Sequence, residues 1–440
     1  MPSNATQILS GWKKRVASVN PVRRSGKLAA AVGATLTATL PGARMGEQVL
    51  IGKSRVPAEV AGFKDGRVLL LPFGDGLDLS SGMRVQGTSR TFRVPWSEDL
   101  LGRILDARAR PLDRREPPST CTTLPVDAEA PSAVDRPPVR QPLATGIRAL
   151  DGFATLGRGQ RMGLFAGPGL GKSTLLAQIA RGTQADCIVL ALVGERGREV
   201  SEFIRENLGP EGLARSVVVC ATSDRPAAER ARVLPVATAI AEGFRASGRH
   251  VLLLVDSLTR HARALREIAL CAGEPPGRRG FPPSVFDRLA ALVERAGNDA
   301  DGSITALYTV LTEGEAEDDP LDEEVKALLD GHITLSPHLA QAGCYPAIDP
   351  CFCLSRLMDR VVSDEHHEAA RKIRELISVY ESRRDMIVAG AYQPGGDPEL
   401  DRAIAVRPAV LDFIRQGPGE NSDLERTTAD LFQLAGGCRQ

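Results

Sequence analysis

The chain has 440 residues, 42% of them hydrophobic and 25% charged, which excludes wholesale disorder and suggests about three domains at roughly 150 residues each. Its 55 basic residues balance 55 acidic ones, which argues against a protein whose main business is coating nucleic acid. No window approaches the roughly 18 consecutive apolar residues of a membrane span. The opening, MPSNATQILSGWKKRVASV, lacks an apolar stretch of signal-peptide length. The expectation is a soluble protein that stays where it is made.

From the start to about Pro95, short apolar runs (LAAAVGATLTATL, VLIG, AEVAGF, RVLLLPFG) are punctuated by Gly and Pro every eight to twelve residues. This pattern predicts a small all-β module, a barrel. Its first 60 residues carry Lys13, Lys14, Arg15, Arg23, Arg24, Lys27, Arg44, Lys53 and Arg55 against only Glu47 and Glu59. Such a basic end suits an anionic lipid surface or an acidic partner, or is simply a solvated face. Residues 96–143 read as a connector; from Arg108 to Pro142 it is rich in Pro, Arg and Asp.

From about Ala144 apolar strands (RMGLFAG, CIVLALVG, VLLLVD, SITALYTVL) alternate with helical segments such as STLLAQIARGT and REVSEFIREN. That alternation predicts a mostly parallel sheet flanked by helices over 144–361. From 362 to 440 helices take over, HEAARKIRELISVYESRRDMIVAG and PELDRAIAVRPAVLDFIRQG being the longest. Cys121, Cys187, Cys220, Cys271, Cys344, Cys351, Cys353 and Cys438 form no CxxC pair and read as reduced, buried, small apolar side chains rather than a disulfide framework.

The strongest local signal is GLFAGPGLGKSTLLAQIA, an apolar strand, a glycine-dense loop and a helix in succession. Gly167, Gly169 and Gly171 let the loop curl with its N–H groups inward, and the following helix aims its positive end at the same point. Lys172 can reach β/γ-phosphates and the Ser173 hydroxyl can join a Mg²⁺ shell. The ATP-binding stretch is therefore Gly167, Pro168, Gly169, Leu170, Gly171, Lys172, Ser173 and Thr174. Ala166 stands where the phosphate-loop pattern has its first glycine.

Asp256, at the end of the run VLLLVD, is placed to hold Mg²⁺ through water. Glu195, just past CIVLALVG, lies where ligands bind in such folds and could polarise an attacking water; flanked by Arg196 and Arg198, it could equally form a plain ion pair. Glu199, one turn on, could support the Mg²⁺ shell.

Several strings coincide in order with one family: GRGQRMGLFAG, GKST, ALVGERGREVSEFI, VLLLVDSLTRHARALREI, GEPPGRRGFPPSVF, GSITALYTVLTEGE, LLDGHITLS and YPAID…SR. From about Gly26 onward the chain resembles the ATPase of bacterial type III secretion systems, itself similar to the flagellar export ATPase and more distantly to the catalytic subunit of rotary ATP synthases. The resemblance implies an N-terminal β-barrel, a RecA-like nucleotide domain and a C-terminal helical domain. It implies Mg²⁺-dependent ATP hydrolysis by a homohexamer that energises effector export. Glu195 would activate water, Arg356 would act as an arginine finger across a subunit boundary, and Tyr345 would stack on adenine, with Tyr392 a second candidate.

The implied partners are stator and central stalk proteins, chaperone–effector complexes and the inner-membrane export gate, with a cytoplasmic, membrane-peripheral location and no nucleic acid. The acidic run Glu313–Glu324 would either meet a basic stalk or be a solvated loop. A flagellar form is the alternative within the class. An RNA-translocating hexamer would need basic residues interleaved with aromatics, a pattern the N-terminal module lacks. A ring subunit that only binds nucleotide would need no carboxylate at Glu195.

Overall fold

The computed structural model describes residue 12 and residues 24–74, 78–312 and 319–437. Lys13, Lys14, Arg15 and Arg23 of the basic N-terminal cluster, residues 313–318 of the acidic run and Cys438 lie outside the described residues. The chain divides into two compact units. One comprises the residues up to Arg93 with Arg225–Glu229 and Glu267–Pro275; the other holds everything else.

In the first unit six strands close into an antiparallel barrel: β1 (Ser25–Val32), β2 (Thr35–Thr39), β3 (Glu47–Ile51), β4 (Val56–Lys64), β5 (Arg67–Pro72) and β6 (Arg84–Thr91), in the order β1-β2-β5-β4-β3-β6. Alternation drives the closure. Along β3 the side chains of Glu47, Val49 and Ile51 are buried while those between are half-exposed. Leu28, Leu36, Leu70 and Val85 join Val49 and Ile51 in the barrel core. The buried Glu47 carboxylate is neutralised by Arg24 at 2.7 Å, so this member of the basic cluster is spent on the fold.

The second unit is built on a sheet whose main path is β14-β13-β8-β12-β11-β9-β10-β7. These strands are β7 (Arg103–Asp106), β8 (Arg161–Ala166), β9 (Cys187–Glu195), β10 (Ser216–Thr222), β11 (His250–Asp256), β12 (Ser303–Leu311), β13 (Gly331–Thr334) and β14 (Leu354–Ser355). Neighbours run parallel along this path except β14, which lies antiparallel on β13. Every residue of β9 and β11 is buried, as expected of apolar strands covered on both faces.

Within the stretch read as connector, Arg103–Asp106 forms strand β7 at the edge of this sheet, paired with β10. Four residues are too few to show a period in sequence. The strand is held by a bidentate Arg103–Asp113 pair, 2.7 and 3.1 Å, which closes only after folding.

Of the helices, α1 (Lys172–Gly182) follows β8, α2 (Gly197–Glu202) follows β9 and α3 (Leu258–Cys271) follows β11. Three more end the chain: α4 (Asp364–Val388), α5 (Pro398–Ile414) and α6 (Leu424–Gly437). Asp397 caps α5 through the N–H groups of Glu399 and Leu400, with Pro398 in its first turn. The C-terminal helices share one core with the sheet layer: Phe413 and Leu431 pack with Leu150 and Phe153, the two phenyl rings meeting edge to face at 5.7 Å.

Candidate active site

Parallel pairing sets the C-terminal ends of β8, β9 and β11 along one edge, with Leu192 beside Asp256. This edge is where open α/β sheets collect ligands. Strand β8 ends at Ala166, whose methyl is 1% exposed among core residues, so alanine replaces the pattern's glycine without obstructing the loop. Gly169 and Gly171 take positive φ, +77° and +84°, which an L side chain rarely adopts. Space above Gly169 is open, since a Cβ there would meet nothing within 4 Å. Ser173 and Thr174, in the first turn of α1, are exposed.

Lys172 does not point away from this edge. Its ammonium contacts Asp256 Oδ1 and lies 3.8 Å from Glu195 Oε1. Asp256 is 4% exposed and also accepts a hydrogen bond from Thr309 Oγ1 at 2.9 Å. Glu195 is 8% exposed, and Arg260 Nε approaches its Oε1 to 3.0 Å. That oxygen is buried without an aligned hydrogen bond, so it keeps an accepting lone pair. Burial, then the nearby Asp256 charge, push the Glu195 carboxyl up to about 7 against the pull of Lys172 and Arg260; the hydrogen bond that the protonated carboxyl donates to Glu199 adds to the rise. A carboxyl poised near neutrality suits general-base work.

The flanking arginines do not make the ion pair that sequence allows. Arg196 instead pairs with Glu199 at 3.2 Å, and the cation on Glu195 is Arg260. Sequence reasoning missed Arg260 although it stands in DSLTR, one helical turn after Asp256. Its guanidinium also donates to the Gly194 carbonyl at 2.5 Å, which orients it along the end of β9. Thr309 carries no sequence signal at all, since it reaches Asp256 from a strand 53 residues away.

Tyr345 lies against the loop: a Cβ on Gly171 would stand 3.4 Å from two of its ring carbons, and the side chain is 42% exposed. The Tyr345 carbonyl accepts from the Gln416 N–H at 2.8 Å. Tyr392, the second aromatic candidate, instead donates its hydroxyl to Asp401 at 2.7 Å, within the turn that begins α5.

Arg356 is not brought to the phosphate loop of its own chain. β14 runs antiparallel to β13, so Ser355 pairs with Gly331 and Arg356 follows beside Asp330. Asp330 in turn sits level with Arg161, at the start of β8. From Arg161 to Gly167 is six residues of strand, about 20 Å at roughly 3.3 Å each. The exposed guanidinium rests on the Lys326 carbonyl at 3.3 Å.

The donor set at this edge is hydroxyl and carboxylate oxygen. Among the described residues no group of three or more His, Cys, Asp or Glu side chains forms a metal cage. Hydroxyl and carboxylate oxygens, such as those of Ser173, Asp256 and Glu199, are the donor type that Mg²⁺ takes, since it keeps waters and binds through one or two carboxylates plus substrate phosphates. Among the described residues no helix is long and apolar enough to cross a membrane.

Comparison with known proteins agrees with this geometry. Residues 146–355 match the nucleotide-binding domain of the ATP synthase alpha/beta family, and residues 362–433 match the C-terminal domain of the EscN ATPase of type III secretion systems. The Type 3 secretion system ATPase of Sinorhizobium fredii (strain NBRC 101917 / NGR234) is 49% identical over 93% of this chain and 92% of its own. The Flagellum-specific ATP synthase of Bacillus subtilis (strain 168) is 43% identical over 94% and 96%. The assembled ATPase EscN from the enteropathogenic E. coli type III secretion system superimposes with a TM-score of 0.89 at 44% identity, covering 93% of this chain and all of that one. A second structure, of EscN with its central stalk EscO, gives 0.86.

Proposed function

This chain belongs to the family of type III secretion ATPases and hydrolyses ATP to energise type III protein secretion, and we propose that it divides that reaction between two protomers of a homohexamer. Gly167 to Thr174 cradle the phosphates, with Lys172 turning from Asp256 and Glu195 onto the β/γ oxygens. Tyr345 stacks on the adenine beside Gly171. Ser173, Asp256 and Glu199 would hold Mg²⁺, which would supply charge neutralisation at the transferring phosphoryl group. Glu195 accepts the proton of the attacking water at Oε1, which lies in ion-pair range of Arg260 but accepts no hydrogen bond.

Arg356 serves the neighbouring protomer. The register that carries it to the opposite end of β8 from its own phosphate loop supports a role across a seam rather than at its own site. By analogy with EscN, the ring receives a central stalk. The further reading is that it binds a stator and chaperone–effector complexes on the cytoplasmic side of the inner-membrane export gate.

The observation that carries the catalytic assignment is the buried Glu195 carboxyl, raised to about 7 and sharing its edge with Lys172 and Asp256. Glu195→Gln keeps the side chain's size but not its basicity. ATP binding by the variant should stay within a few-fold of the parent while phosphate release disappears. Normal phosphate release would remove Glu195 from the mechanism.

A further inference from the structure

Gln160 is fully buried at the turn into β8, and all its polar capacity is directed. Its Oε1 accepts from the Gly157 N–H at 2.8 Å. Its Nε2 donates to Ser355 Oγ at 3.0 Å and to the Asp330 carbonyl at 3.2 Å. That same carbonyl accepts the backbone N–H of Arg356 at 2.9 Å. The amide thus grips both residues that set where Arg356 leaves the sheet, the one before it in the chain and the one beside it across the ladder.

Asp330 is fastened a second time. Its carboxylate accepts from the Arg161 backbone N–H at 3.0 Å and from Arg161 Nε at 3.2 Å, while Arg161 also reaches Glu294 at 2.5 Å. β14 is only two residues long, at the sheet's edge, with β13 as its sole ladder partner among the described residues. So short a strand has little ladder of its own to fix its height, and the buried amide supplies the missing constraint.

We propose that Gln160 is a positioning residue for the trans-acting arginine. Through Ser355 and Asp330 it holds the backbone of Arg356 at a set height. Because it opens the strand that ends in the phosphate loop, it also ties each protomer's own nucleotide site to the charge that protomer lends its neighbour. This rests on the reading of Arg356 as a finger. A displacement of about 1 Å in a catalytic group costs about 100-fold in rate, so loosening this anchor registers in kcat.

The test uses the full chain at concentrations where rings form. Gln160→Met conserves volume and removes the amide's hydrogen bonds to Gly157, Ser355 and Asp330. It should lower kcat at least tenfold with the KM for ATP within about threefold. Mixing then separates the two ends of β8. Arg356→Ala and Lys172→Ala, each inactive alone, should together recover turnover at seams that combine an intact loop with an intact finger; failure of that pair overturns the finger reading itself. Given that recovery, Gln160→Met should complement Lys172→Ala and not Arg356→Ala, because its defect lies on the finger side. Complementation of Arg356→Ala instead, or a parental kcat, overturns the proposal. Ser355→Ala, which removes one hydroxyl, repeats the same matrix should Gln160→Met fail to fold, with the same pattern expected and the same reversal refuting it.

Discussion

Arg260 offers the sharpest quantitative test, because its contribution can be worked from one contact. A positive charge beside a carboxyl favours the ionised form, so Arg260, 3.0 Å from Glu195, holds that group below where burial and Asp256 alone would put it. Two unit charges about 4 Å apart interact by roughly 4 kcal/mol at an effective dielectric of about 20. Arg260 is 31% exposed in its side chain, and solvent screening reduces this to about 1.5–3 kcal/mol. At about 1.36 kcal/mol per pH unit, that is a shift of roughly one to two units. The acid limb of kcat/KM for ATP reports the base in the free enzyme and should fall near pH 7 in the parent. In Arg260→Gln it should move up to about pH 8–9, and Glu195→Gln should show no such limb above its residual rate. Phosphate release followed from pH 5.5 to about 9.5 makes the comparison. An acid limb that stays in place, or moves down, refutes the argued pairing.

Other outcomes are equally concrete. Tyr345→Ala should raise the KM for ATP by roughly 5- to 100-fold with little change in kcat, since base–aromatic stacking is worth about 1–3 kcal/mol; a fluorescent ATP analogue measures the loss directly. Turnover per subunit should rise with protein concentration as seams form, and a flat dependence across the assembly range, followed by light scattering, counts against a shared site. Asp151, fully buried beneath the N–H groups of Thr145 and Gly146, is pushed up to about 7 by burial. The folded chain therefore keeps a proton that the unfolded chain releases near 3.8, so this group's stabilisation is complete below about pH 4 and is lost as pH rises to about 7. The slope reaches about 1.4 kcal/mol per pH unit, and Asp151→Asn should remove it from the pH dependence of urea midpoints.

Much of the active edge was legible in the chain because its parts are contiguous. The strand, glycine loop and first helical turn from Arg161 to Thr174 form a local unit whose signals lie side by side. Asp256 and Glu195 each end an apolar run, and the end of a buried strand is marked by where its hydrophobicity stops. The barrel was legible from short apolar runs punctuated by Gly and Pro, and the structure adds its six strands and the alternation of inward and outward residues along strands such as β3. Contiguity failed at Arg103–Asp106, too short to carry a period and recognisable as a strand only through its pairing with Val217–Cys220.

From its amino acids alone the chain determined which side chains could do chemistry and which of its longer patterned stretches would be strands or helices, because both depend on residue type and local spacing. Tertiary structure alone decided which cation faces Glu195, that Thr309 supports Asp256, and that Gln160, Asp330 and Ser355 converge beneath Arg356. Those partners stand 53 to 195 residues apart in their hydrogen-bonded pairs, and only the order and register of the strands bring them within bonding distance. The direction of β14 was beyond local pattern too, and it is that direction which turns Arg356 away from its own phosphate loop.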